Sequence, residues 1–242
     1  MDLTINGTSL SSLGVIVETQ TQFTKPRRRV QRSYVDKADG SMSEFLGYDG
    51  YTLEYKITPT ESEHFNELYV LLDGNVILEA SDDPGNFWYA SVEDEIKYEA
   101  IALWKTTIIS FYIYDPYRYV KTEAVQTIAS SPATVVNSGT AIAYPLLKIT
   151  GMGPVELSLN GIGFNYVFLP GDTEVYIDCG SFDYEKSMVI QDAYVVGPVE
   201  LRNRRLTLPN NKFPYLSPGN NTLEFISGSI TSVEVTKRSR FL

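Results

Sequence analysis

The chain has 242 residues, 43% of them hydrophobic, which is enough for the interiors of two ordinary domains and too apolar for a disordered chain. Its formal net charge of −10 argues against nucleic acid as a partner, because such binding rests on neutralising phosphates with Lys and Arg. One cysteine, Cys179, excludes an internal disulfide, and with a single histidine, His64, no Cys/His zinc cluster can form.

The 17 tyrosines and 11 phenylalanines suit pleated, half-buried surfaces, so the expectation is a mainly β protein. Residues 2–5 read as a short strand, Asn6-Gly7 as a tight turn, and residues 9–13 as one helical turn ended by Gly14. Residues 15–23 and 28–35 read as strands with little apolar alternation, the pattern of an extended arm without a well-buried face. Between and within them lie Lys25, Arg27, Arg28, Arg29 and Arg32, read as a solvated edge or a contact to an acidic neighbour. A turn follows at residues 36–40. Residues 51–58 alternate well, with Leu53, Tyr55 and Ile57 on one face.

One helix is expected. Thr60 and Glu63 form a capping box, Phe65, Leu68, Tyr69 and Leu72 follow at helical spacing, and Gly74 ends it. Residues 75–80 and 87–92 are then strands around the Ser81–Asn86 turn. Residues 104–114 make the strongest strand. Its end, residues 108–114, is apolar on both faces, so its own domain or a neighbouring subunit must cover both. Asp115-Pro116 ends it.

From residue 123 to 143 the composition shifts to Ala, Ser, Thr and Val around Ser130-Ser131-Pro132, and the segment reads as a linker. Residues 1–122 then form an α+β domain and residues 144–242 a second one. The second contains many short strands between Gly, Pro and Asn turns, which indicates a β-sandwich. Gly151-Met152-Gly153 and Gly161-Ile162-Gly163 lack the spacing and helix start of a phosphate loop and read as hairpin turns. The first basic residue is Lys25 and no apolar run is long enough to span a bilayer, so a soluble chain without a secretory signal is expected.

Little remains for catalysis. A Ser–His–Asp or Cys–His arrangement would have to use His64, which follows Glu61 and Glu63 on the predicted helix. The carboxylate clusters Asp82-Asp83 and Glu93-Asp94-Glu95 read as solvated turns rather than a glycosidase pair. No catalytic, cofactor or metal residue is expected. A sugar site on the sandwich would have to use Tyr166, Tyr176 or Tyr184, since both tryptophans, Trp88 and Trp104, lie in the first half.

The order of several segments carries a family resemblance. They run Leu3-Thr4-Ile5-Asn6-Gly7, Leu13-Gly14-Val15-Ile16-Val17, Asp39-Gly40, Ser81-Asp82-Asp83-Pro84-Gly85 with Phe87-Trp88-Tyr89, and Asp115-Pro116-Tyr117-Arg118-Tyr119. Val136-Asn137-Ser138-Gly139-Thr140, Tyr144-Pro145-Leu146-Leu147-Lys148-Ile149, Phe213-Pro214-Tyr215-Leu216, Pro218-Gly219-Asn220-Asn221-Thr222, Ser227-Gly228 and a basic tail ending in Phe241-Leu242 complete the set. Across nearly the whole chain this succession resembles the distal tail (Dit) proteins of siphoviruses that infect Gram-positive bacteria.

The resemblance implies a homohexameric hub ring at the phage tail tip, in the virion, assembled in the host cytoplasm. N-terminal domains would surround a channel, an arm would clasp the next subunit, and galectin-like sandwiches would lie outside. The implied partners are further copies of the chain, the tail tube protein, the tail-associated lysin or hub protein, and receptor-binding proteins at the periphery. Membranes and nucleic acid are not among them. Arg27, Arg28, Arg29 and Arg32 become candidate inter-subunit contacts. Some relatives carry an inserted carbohydrate-binding module, for which the short turns here leave no room. The alternative reading is a carbohydrate-binding module that recognises the host surface.

Overall fold

The computed structural model describes residues 1–18, 25–34, 36, 39–60, 64–94, 99–101, 104–183, 188–196 and 200–242. Among the described residues strands dominate, with one α-helix, and the chain divides into two compact units, Met1–Arg118 (with Leu242) and Tyr119–Phe241.

The first unit is built on an antiparallel sheet. Its strand order is Thr8–Ser9, Leu3–Ile5, Gly74–Ala80, Asn86–Val92, Trp104–Ile113, Tyr51–Pro59 and Val15–Val17. The Asn6-Gly7 turn closes the first hairpin with both residues at positive φ, 50° and 83°. Asp2 pins the 3₁₀ turn Leu10–Leu13: its carboxylate accepts the backbone N–H groups of Leu3 and Ser11 and the Ser9 hydroxyl. Leu53, Tyr55 and Ile57 point into the core opposite Phe111, Ile109 and Thr107. The Tyr55 and Phe111 rings meet edge to face at 6.0 Å.

Only one face of the Trp104–Ile113 strand is covered by its own unit. Ile109, Phe111 and Ile113 are buried, whereas Ile108 and Tyr112 are 57% and 40% exposed. The helix is Phe65–Leu71, with Leu68 and Leu72 packed on the core. Thr60, one half of the expected capping box, is engaged elsewhere. The helix starts later, with His64 in the N-cap position and no side-chain cap, while the Thr60 hydroxyl donates to the Gly14 carbonyl at 2.6 Å. Thr60 is thus drawn to the end of the neighbouring strand, and Glu63 lies outside the described residues.

The arm predicted before Gly40 is one side of a hairpin. Arg28–Ser33 pairs with Met42–Tyr48 as a two-stranded sheet of its own, with a bulge between Arg29 and Val30. The end of the expected 15–23 strand and part of the 36–40 turn lie outside the described residues.

The second unit is a β-sandwich held together by two long strands, Leu146–Leu159 and Gly219–Thr236, paired along their length. Residues 146–150 pair with Glu174–Asp183, and residues 154–159 pair with Ile162–Val167. Each long strand therefore serves both layers, and the chain turns the corner through register shifts around 150–157. Several of the short strands expected in this half are stretches of these two continuous ones. Gly151-Met152-Gly153 and Ser227-Gly228 are bulges inside strands rather than turns, because glycine lets the backbone bend there without breaking the ladder. Asn160-Gly161 does close a hairpin, with φ of 53° and 75°.

Residues 123–143 are not a linker. Gln126–Ile128 and Ala133–Asn137 both pair with Gly219–Thr236, and Ile128 and Val135 enter the core. Their small β-branched side chains fit an edge of the sandwich. The division between units falls at Arg118/Tyr119 instead of near 122.

Cys179 belongs to this core at 0% exposure, and burial pushes its thiol well above the usual range. We expect no reaction with a thiol reagent such as DTNB over hours at pH 8 in the folded chain, and full reaction in denaturant. Rapid labelling of the native protein would contradict this placement.

Candidate assembly surface

The four arginines singled out in sequence all lie on or beside the hairpin. Arg28, Arg29 and Arg32 sit on its first strand and Arg27 immediately precedes it, where its carbonyl accepts the Asp49 N–H at 2.8 Å. Every residue of Arg28–Ser33 is exposed. The Arg28 guanidinium lies 4.7 Å over the Phe45 ring, and Phe45 meets Tyr48 edge to face at 5.0 Å. Arg29 pairs with Asp49 at 3.4 Å across solvent-exposed side chains, an arrangement that contributes little to stability.

The second strand supplies what the sequence reading missed. Met42, Phe45 and Leu46 are 67%, 46% and 50% exposed, and Val30 and Tyr34 are also exposed. The hairpin therefore carries exposed apolar side chains among its guanidinium groups, with Val30 and Phe45 directly opposite each other across the two strands. Phe45-Leu46 was the available signal, two large apolar residues in succession where an alternating strand would hide only one. They occupy adjacent places because the bulge opposite Arg29 and Val30 inserts an extra residue.

The basic residues of the C-terminus behave differently. Lys237 pairs with Glu123 at 3.6 Å. Arg238 donates to both oxygens of the almost buried Asp178, at 2.6 and 3.0 Å. Arg240 donates to the Ile142 carbonyl and stands over the Tyr144 ring. This cluster ties the tail into its own sandwich.

Two asparagines from the resemblance segments are structural centres. Asn221, 1% exposed, donates to the carbonyls of Val135, Ser217 and Gly219 and accepts from Ser217 N–H and Asn160 Nδ2. Asn137, equally buried, donates to the Ala141 and Leu216 carbonyls and accepts the Gly139 N–H. A Cβ on Gly139 would lie 2.3 Å from the Arg240 carbonyl oxygen, so these segments read as motifs because packing demands them.

Residues considered for other chemistry are not brought together. His64 is partly exposed and contacts Glu67 at 3.2 Å. Among the described residues no group of His, Cys, Asp and Glu could hold a metal. No helix among them is long and apolar enough to cross a membrane. Tyr166 is buried in the sandwich core, and Tyr184 lies outside the described residues. The rings of Tyr176 and Tyr194 stack on each other at 5.4 Å and 11°, with Lys148 Nζ 5.7 Å from the Tyr176 centroid, so Tyr176 spends its faces on its neighbours.

A two-unit, mainly β chain with an outstanding hairpin defines a fold that known structures share. The chain superposes on the crystal structure of the SPP1 Dit protein, described as a paradigm of the hub adsorption apparatus in phages infecting Gram-positive hosts, with a TM-score of 0.74. The match covers 100% of this chain and 99% of that one at 16% identity. This chain has the Dit fold. No family model and no curated protein matches the sequence.

Proposed function

We propose that the chain is a structural subunit of a phage tail-tip hub, six copies of which form a ring around an axial channel. The likeness to the SPP1 hub protein over both full chains is the observation that supports it. In this reading the first unit forms the ring, its hairpin reaches the next subunit, and the second unit, a galectin-like sandwich, lies outside. One face of the ring meets the tail tube protein and the other the tail-associated lysin or hub protein. Receptor-binding proteins attach at the periphery, and the chain resides in the virion without catalysing a reaction.

Sedimentation velocity with negative-stain imaging tests the reading. A species of about six subunits with an axial hole is expected, in keeping with closed symmetry. A chain that stays a single subunit overturns it. Replacing residues 28–48 with a short Gly-Ser link is expected to abolish the ring while leaving the second unit folded. Rings of unchanged size in that variant would remove the hairpin from the contact.

A further inference from the structure

Among the described residues the hairpin of Arg28–Ser33 and Met42–Tyr48 shares no rung with the main sheet of the first unit. Its direction is therefore decided at its root. One further backbone bond closes that root, from Asp49 N–H to the Arg27 carbonyl, and the chain then enters Tyr51–Pro59 through Gly50.

Two contacts tie the root to the end of the Trp104–Ile113 strand and the segment after it. Gly50 is pressed against the strand: a Cβ there would lie 2.6 Å from the Ile113 carbonyl oxygen and 2.6 Å from Tyr112 Oη. Tyr48, the last residue of the hairpin, meets the Tyr117 ring edge to face, at 6.3 Å and 86°. Tyr48 also meets Phe45, which carries the Arg28 guanidinium. A line of rings thus runs from the hairpin to the segment in which the first unit ends. That segment is itself fixed. Arg118, next to Tyr117, pairs with Asp83 at 2.8 Å, both side chains being only partly exposed, and Asp83 also accepts from Asn86 Nδ2.

We propose that the first unit sets the direction of its hairpin before any partner arrives, with Tyr117 as the positioning residue and Gly50 as the notch that lets the root sit close. An edge-to-face ring pair shifts an equilibrium by a factor of about two to ten. Glycine at position 50 lets the two main chains approach where a side chain would hold them apart. A hairpin of preset direction loses less freedom on docking than one ordered by its partner. The consequence for assembly rests on the ring reading above; the preset direction does not.

Spin labels on Ser43→Cys and Glu54→Cys, both exposed positions, report the distance from hairpin to sheet by double electron–electron resonance, the native Cys179 being buried. They are read on the single-subunit fraction of a dilute sample, with circular dichroism as a check on folding. The parent and Tyr117→Phe are expected to give one narrow distribution. Tyr117→Ala is expected to broaden it, and Gly50→Ala to broaden or displace it. Both alanine variants are expected to assemble with an apparent affinity weaker by about two- to tenfold, and Tyr117→Phe to assemble like the parent. If Gly50→Ala does not fold, Tyr117→Ala decides the matter. A broad distribution in the parent, or a narrow and unshifted one in Tyr117→Ala, overturns the proposal and leaves the hub reading intact. A narrow distribution in a parent chain that never assembles overturns the hub reading and leaves the preset hairpin standing.

Discussion

Changing Asn221 to Ala is expected to destabilise the second unit by about 3–5 kcal/mol, seen as a lower urea midpoint with an unchanged slope. The amide is 1% exposed, and its two N–H groups are shared among three carbonyls from three places: Val135 on an edge strand, Ser217 ahead of the long strand and Gly219 at its start. Its oxygen accepts Ser217 N–H at 2.7 Å and Asn160 Nδ2 at 2.6 Å. Alanine removes all five hydrogen bonds from a residue that is 1% exposed. Each buried orphan costs about 1–3 kcal/mol, and relaxation of the loop recovers part of the sum. Asn221→Asp is expected to be at least as damaging, since an ionised carboxylate cannot donate to three carbonyls. A loss under about 1 kcal/mol for the alanine variant would show that the turn holds itself together.

Gly228→Ala is the second large effect, about 3–4 kcal/mol or failure of the second unit to fold. Gly228 adopts φ 94°, and a Cβ there would lie 2.2 Å from the Pro154 carbonyl oxygen and 2.8 Å from Val155 Cα. The backbone conformation alone costs an L-residue roughly 1–2 kcal/mol. The clash is with main chain, which can retreat only by disturbing the bulge where the two longest strands cross between layers. Gly153 is the control. Its φ is 69° but a Cβ there meets open space, so Gly153→Ala is expected to cost only about 1 kcal/mol. Equal thermal midpoints for the two variants would refute the steric argument.

Much of the first unit was legible. The Asn6-Gly7 hairpin, the Leu10–Leu13 turn ended by Gly14, the alternation of Tyr51–Pro59 and the Phe65–Leu71 helix all arise from short-range preferences, and short-range preferences are visible in sequence. Thr60, read as half of a capping box with Glu63, has a partner 46 residues away, the Gly14 carbonyl, which no local pattern records. The linker failed for a related reason. Ala, Ser and Thr around a proline suit a tether, but residues 126–128 and 133–137 are offered a long strand almost a hundred residues later, and pairing with it overrides composition.

The candidate assembly surface was half legible. Arg27, Arg28, Arg29 and Arg32 stood out by charge, whereas Met42, Phe45 and Leu46 look like ordinary core residues until the fold leaves them uncovered. Conversely, Lys237, Arg238 and Arg240 look like a second basic surface, and their partners Glu123, Asp178 and Ile142 lie 60 or more residues away.

The sequence by itself determined the strand-rich class, the helix, the local turns, the scarcity of catalytic groups and the position of the basic strand, because each depends on neighbours within a few residues. Only the tertiary structure decided which glycines are bulges rather than turns, where one unit ends, and which apolar and cationic side chains remain at the surface. Those outcomes depend on strands distant in sequence competing for the same hydrogen bonds and the same core, and no local pattern records who wins.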